Sequence, residues 1–355
     1  MFLIRDACAA DLEGLHDVAV FLDSVNLPAD RTRLRDLIER SERSFAGRCD
    51  VAERRYLFVL TDPDSDAASG PSAILGASMI FAQHGSRRSP HVYFDVIEEE
   101  RYSETLDRHV VHRVLRIGYN YKGVTEIGGL VLHPNARGHR EQLGRLLSYA
   151  RFMYLALHRT LFRDEVLSEL MPPLEPDRTS LLWEALGRKF TGLSYQEADR
   201  LSHENKEFIR TLFPEEPIYA TLLPASVQAV IGQVGPQTKS VERMLTQIGF
   251  TYANRIDPFD GGPHFHARLD QIAPVRETAR ARVRVNDQTT VEEPTRRYLV
   301  VAESDDPTSA SRFRAIAVPG IVQVNASVNV LLLSAEALQR LDLREDAEVA
   351  YLALT

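Results

Sequence analysis

The feature that most constrains this chain is a junction at residues 130–147, LVLHPNARGHREQLGRLL. A short apolar strand passes through a loop carrying Pro134, Gly138 and four cationic or imidazole side chains. It then enters an apolar helix read to about Phe162. A strand and a helix in such close succession bury both apolar faces only as adjacent layers, so the chain must form a mixed α/β structure.

The surrounding pattern agrees. Phe2–Arg5 reads as a strand, and Asp11 is placed to cap a helix bearing Leu12, Leu15 and Val18. A second helix is expected over Arg31–Phe45. Tyr56–Leu60 and Ser72–Phe81 read as a hairpin around a polar turn at 62–71, and further strands are expected at His91–Glu98, Arg113–Tyr119, Thr125–Leu132 and Val166–Leu170. Later helices are expected at Ser180–Lys189 and Lys239–Ile248. Beyond about Arg276 helical periodicity fades and short strands dominate, with one helix near Ala335–Arg340. The domain reading is therefore 1–275 for the α/β part and 276–355 for a small β-rich C-terminal subdomain.

Composition excludes several classes. Hydrophobic residues make up 44% and charged residues 26%, enough apolar material for a large core. A net charge of -8 argues against a broad nucleic-acid surface. The two cysteines, Cys8 and Cys49, make no disulfide framework, and the first residues resemble no secretory leader. No run is long and apolar enough to span a membrane as a helix. The expected location is the cytoplasm, and nucleic acid and membrane are not expected partners.

The loop at 134–144 suits a phosphorylated ligand. Gly138 and Gly144 free backbone N–H groups near a helix start, and Arg137, His139, Arg140 and Arg145 add positive charge. The same residues also suit a solvated basic loop above a core helix. The ordered motifs add a resemblance. LFVLTD (57–62), TEIGGLVLHP (125–134), VLSELMPP (166–173), SLLWEALGRKF (180–190), VIGQVGPQT (230–238) and DPFDGGP (257–263) together resemble the arginine N-succinyltransferase family, which has a GNAT-like fold. The resemblance extends over about residues 2–270. It implies a GNAT-like mixed sheet with flanking helices, and an enzyme moving succinyl from succinyl-CoA to the α-amino group of arginine, in arginine catabolism. It also implies no permanently bound cofactor, succinyl-CoA as co-substrate, and a homo-oligomer. Leu130 matches the family's succinyl-CoA-binding leucine, so Leu130, Arg137, Gly138, Arg140 and Gly144 are the expected CoA contacts.

One position departs from the family. Its proton-donating histidine lies in the motif that here reads VIGQVGPQT, and Gly235 stands in its place. The loop is also longer than the family's and lacks an Asn-Gly pair. A different amine or acyl-CoA, or a CoA-binding subunit without turnover, is the alternative this raises. His264 and His266, just after the DGGP turn, are the candidate replacements, since imidazole moves protons near neutral pH. A surface His-X-His pair is the plainer reading. No metal site is expected, because the spacing places no third ligand. Glu169 and Asp177 are the candidate carboxylates for a guanidinium. Glu126 and Glu184 lie in similar motifs, and Trp183 and Phe190 read as core.

Overall fold

In the computed structural model, the described residues are 1–354 other than 23–25, 63–72, 88, 203–204, 287–295, 305, 307–308, 310 and 325–327. Strands β1 (Leu3–Asp6), β2 (Arg55–Thr61), β3 (Ile74–His84), β4 (His91–Ser103), β5 (Arg108–Asn120), β6 (Val124–Leu132), β7 (Glu165–Glu169) and β8 (Ile218–Tyr219) come first. They are followed by β9 (Thr251–Ile256), β10 (Pro263–Arg268), β11 (Ala279–Val285), β12 (Arg296–Glu303), β13 (Phe313–Gln323), β14 (Val330–Leu333) and β15 (Glu348–Leu354). The principal helices are α1 (Leu12–Ala19), α2 (Arg31–Phe45) and α3 (Leu143–Leu157). The mixed α/β class and the β-rich C-terminal region are as the sequence indicates. The turn read at 62–71 falls almost wholly outside the described residues.

The chain forms two compact units. The first comprises Met1–Ala82, Ile127–Phe162 and Leu269–Thr355; the second comprises Gln83–Glu126 and Arg163–Arg268.

In the first unit β1 pairs antiparallel with β2, and β2 with β3. Helices α1 and α2 cover these strands because Leu15, Val18, Leu34 and Ile38 fall on faces that meet Leu57, Val59, Ala77 and Met79 in one buried cluster. Each such aliphatic side chain contributes roughly 1.5–3 kcal/mol by leaving water. Asp30 caps α2 by accepting from Arg33 N at 2.8 Å. Asp11, by contrast, makes no cap bond to α1; its carboxylate accepts from Cys8 N at 2.8 Å and pairs with Arg5 at 2.6 Å. The β-rich tail closes on itself in the order β12-β15-β11-β14-β13, with β13 pairing back to β12. It surrounds a core of Val283, Val300, Ile316, Leu331 and Val349, with helix Ala335–Leu341 against it. β13 also pairs with β1 (Ile4↔Ala315).

In the second unit the strand order is β7-β10-β9-β4-β5-β8, and the first residues of β6 lie parallel to β7 in the register Thr125↔Val166 and Glu126↔Leu167. Strands β6 and β7, on either side of the long helix α3 in the sequence, are thus neighbours. Trp183 is fully buried and stacks on Phe259 at 5.0 Å, so it is core; Phe190 is more exposed. The helix read over 180–189 contains a π-helical turn, Trp183–Gly187.

Candidate active site

The expected CoA-binding residues all lie in the first unit. Gly129 sits inside β6 in the left-handed region (φ 58°), where a Cβ would approach Met79 at 3.2 Å. This kinks the strand immediately before Leu130. The kink is held from below by Arg151 of α3, which is buried yet bonds to no carboxylate among the described residues. Its guanidinium donates to Gly128 O at 3.1 Å, Met79 O at 3.4 Å and Ser148 Oγ at 2.8 Å. Burial lowers its pKa. After Leu132 the chain makes a short turn, Pro134–Ala136, and Arg137 Nε donates back to Leu132 O at 3.2 Å. Gly138 is left-handed (φ 69°) with open space where a Cβ would stand, and Arg140 is exposed. Gln142, also left-handed, turns the chain into α3, whose second residue is Gly144.

The second unit carries a cluster of imidazoles and carboxylates. The β7–β10 register sets His264 directly opposite Glu169. Glu169 Oε1 lies 3.4 Å from His264 Nε2 and 3.1 Å from His91 Nε2, at the start of β4. The His91 ring stacks on His264 with centroids 5.2 Å apart and meets His84, at the end of β3, edge-on at 4.5 Å. His84 Nδ1 in turn faces Glu126 Oε2 at 2.5 Å. His264 is 0% exposed, and among the described residues neither of its ring nitrogens has a hydrogen-bond partner.

The electrostatics follow from burial. Burial drives the pKa of His264 down to about 3, against the attraction of Glu169, and that of His91 down to about 4, with the charge of His84 acting in the same sense. Burial also opposes a charged His84, but Glu126 outweighs it and leaves the pKa raised. Glu169 is held well below the usual carboxylate range because the three imidazoles outweigh its burial. In the DPFDGGP turn, Asp257 is raised to about 7, first by burial and then by the charge of Glu169. Asp257 Oδ1 accepts from Phe259 N at 2.7 Å, and Asp260 Oδ1 from Gly262 N at 2.7 Å, which shapes the turn leading into β10.

The fold brings the motif containing Gly235 to this turn. Gly232 N donates to Gly261 O at 3.0 Å, Gly235 N to Met171 O at 2.8 Å, and Leu170 N to Pro263 O at 3.1 Å. A Cβ at Gly235 would lie 2.5 Å from Pro172 O, so no side chain fits there without moving backbone. The other candidates are less engaged. His266 is exposed on β10, opposite Leu167. Asp177 is exposed in a turn, and its Oδ1 accepts from Thr179 N at 3.0 Å, the first cause of its lowered pKa. Glu184 forms an i,i+4 pair with Arg188 at 2.7 Å. Sequence reasoning missed His84, His91 and Arg151 and the kink at Gly129. The Gly128-Gly129 pair was the only local signal of the kink; nothing local joins His84 to His264.

A family model described as "Arginine N-succinyltransferase beta subunit" matches residues 2–274. The arginine N-succinyltransferase subunit beta of Pseudomonas aeruginosa is 34% identical over 280 residues, covering 78% of this chain and 79% of the relative. The arginine N-succinyltransferase of Citrobacter koseri is 32% identical over 281 residues, with 78% and 79% covered. A solved structure, that of arginine/ornithine succinyltransferase subunit AI from P. aeruginosa, superposes with a TM-score of 0.80 at 30% identity. It covers 99% of this chain and 98% of that one. The fold and these likenesses define the chain as an acyltransferase. Within that class it belongs to the arginine N-succinyltransferase family.

Proposed function

We propose that the chain transfers the succinyl group of succinyl-CoA to the α-amino group of arginine. The observation that carries this reading is the family match across residues 2–274, the part read as the acyltransferase domain (1–275) with 276–355 as its β-rich appendage. The left-handed Gly129 immediately precedes Leu130, whose backbone N–H is the proposed donor to the thioester oxygen as charge develops. Arg137, Arg140 and the turns at Gly138 and Gly144 are the proposed pyrophosphate contacts.

In the reaction the neutral α-amine attacks the thioester carbon. The C–N bond forms, the C–S bond breaks, the ammonium proton goes to a base, and the thiolate leaves to be protonated. His264 is the proposed proton-handling group and His266 the alternative. Burial keeps the imidazole of His264 neutral near pH 7, with Glu169 Oε1 3.4 Å from its Nε2. Glu169, through the oxygen turned from the imidazoles, and Asp177 are the proposed guanidinium partners. A reducing cytoplasm and a homo-oligomeric assembly complete the reading.

A second reading, a different amine or acyl donor or a CoA-binding subunit without turnover, is favoured by Gly235 alone. Mixing the purified chain with succinyl-CoA and an amine panel, and following free thiol, separates them. Release with arginine is expected. Release only with another amine, or CoA binding without release, overturns the arginine assignment.

A further inference from the structure

We propose that His84, His91 and Glu169 form a binding site for a divalent transition metal with the ligand preference of zinc, and that Glu126 supports it through His84. The site uses only residues of the second unit and shares Glu169 with the proposed acyl-transfer reading, but it does not rest on that reading.

Three observations carry it. The first is convergence: one donor atom each from His84, His91 and Glu169 lies within 4.8 Å of the others, and His91 Nε2 and Glu169 Oε1 are 3.1 Å apart. Zinc bonds of about 2.0–2.1 Å at tetrahedral angles separate adjacent ligand atoms by about 3.3 Å. The His91–Glu169 edge is close to that length, and the His84 donor atom lies within 4.8 Å of both.

The second observation is the support around the ligands. His84 Nδ1 faces the buried Glu126 at 2.5 Å, which fixes the ring and leaves Nε2 for the ion. A carboxylate behind a ligating imidazole is the usual outer-shell arrangement of zinc sites. The two carboxylates, one direct and one behind His84, also match a charge of +2, while Glu169 at 27% and His84 at 20% side-chain exposure leave a route in.

The third is the surroundings. His264 approaches the same Glu169 oxygen at 3.4 Å, with both ring nitrogens buried and, among the described residues, without hydrogen-bond partners. The donor atoms of Glu169, His264 and Asp257 also converge within 4.8 Å. A neutral imidazole has one lone pair and one N–H, so three rings and several carboxylates offer more acceptors than protons. A cation satisfies such a set. Two imidazoles and one carboxylate leave coordination positions open for water or a carbonyl oxygen.

The test uses the full chain, freed of metal with a chelator and then equilibrated with Zn²⁺ or Co²⁺. One Co²⁺ per chain is expected, with visible d–d absorption of the intensity seen at four- or five-coordinate cobalt. His84→Ala and His91→Ala should each abolish that band, and Glu126→Gln should weaken affinity roughly 10–100-fold. Substituting the exposed His109 should leave it unchanged. Because the buried substitutions can disturb folding, the wild-type chain provides an independent readout: micromolar Zn²⁺ should raise its melting temperature in a concentration-dependent way. No stoichiometric binding and no shift in melting, or a cobalt band that survives both histidine substitutions in folded protein, would overturn the site and leave a hydrogen-bonded cluster.

Discussion

His264 was visible in the sequence as half of a His-X-His pair after the DGGP turn, but its environment was not. Alternation predicts that His264 and His266 share a face, yet one is sealed from solvent and the other exposed, because the cover comes from His91 and Glu169 on other strands. That difference sorts the two candidates. His264→Ala should lower kcat roughly 10²-fold, while His266→Ala should change it by less than about threefold, both read in the succinyl-CoA and arginine assay. Equal, small effects from both would leave proximity and water-mediated proton transfer as the account. Gly235 was legible as a departure from the family motif. Its cause needed coordinates: the carbonyl of Pro172 occupies the place of a Cβ.

At the scale of elements, the α3 junction was legible because its apolar period and loop chemistry are local. The helix was read to Phe162, but it ends at Leu157 and a 3-10 turn, Arg159–Leu161, follows. The hairpin β4–β5 was read too short at its far ends. Residues 99–103, EERYS, lack an apolar alternation, and their strand conformation rests on the backbone ladder and on contacts such as Tyr219 Oη donating to Glu99 at 2.9 Å. The phosphate-binding role is proposed for the loop between β6 and α3. Arg140→Glu should weaken CoA binding by at least tenfold, about 1.4 kcal/mol, in a calorimetric titration. Its exposed position leaves the fold intact. Unchanged affinity would remove this loop from the CoA site.

For the whole molecule, the sequence showed a change of character near Arg276 but not where the later residues go. Strand β13 lies beside β1, and Asp6 accepts from Arg312 N at 2.9 Å and Phe313 N at 3.0 Å. Long-range pairing of this kind leaves no local trace, since each strand alone is only a short apolar run. A chain ending at Val275 should therefore fail to fold as the full chain does, with a lost or broadened thermal transition and aggregation from the bared edge of β1. A sharp transition within a few degrees of the full-length value would show that the first 275 residues suffice.

The same pairing has a consequence during synthesis. The strand containing Ile4 leaves the ribosome long before the strand containing Ala315. At translation rates of about 5–20 residues per second the interval is roughly 15–60 s. Throughout it the nascent chain carries an open strand edge with no native partner yet made, long enough for a chaperone to engage it or for two chains on one messenger to pair wrongly. Slowed elongation between these two strands should lower the soluble yield of this protein.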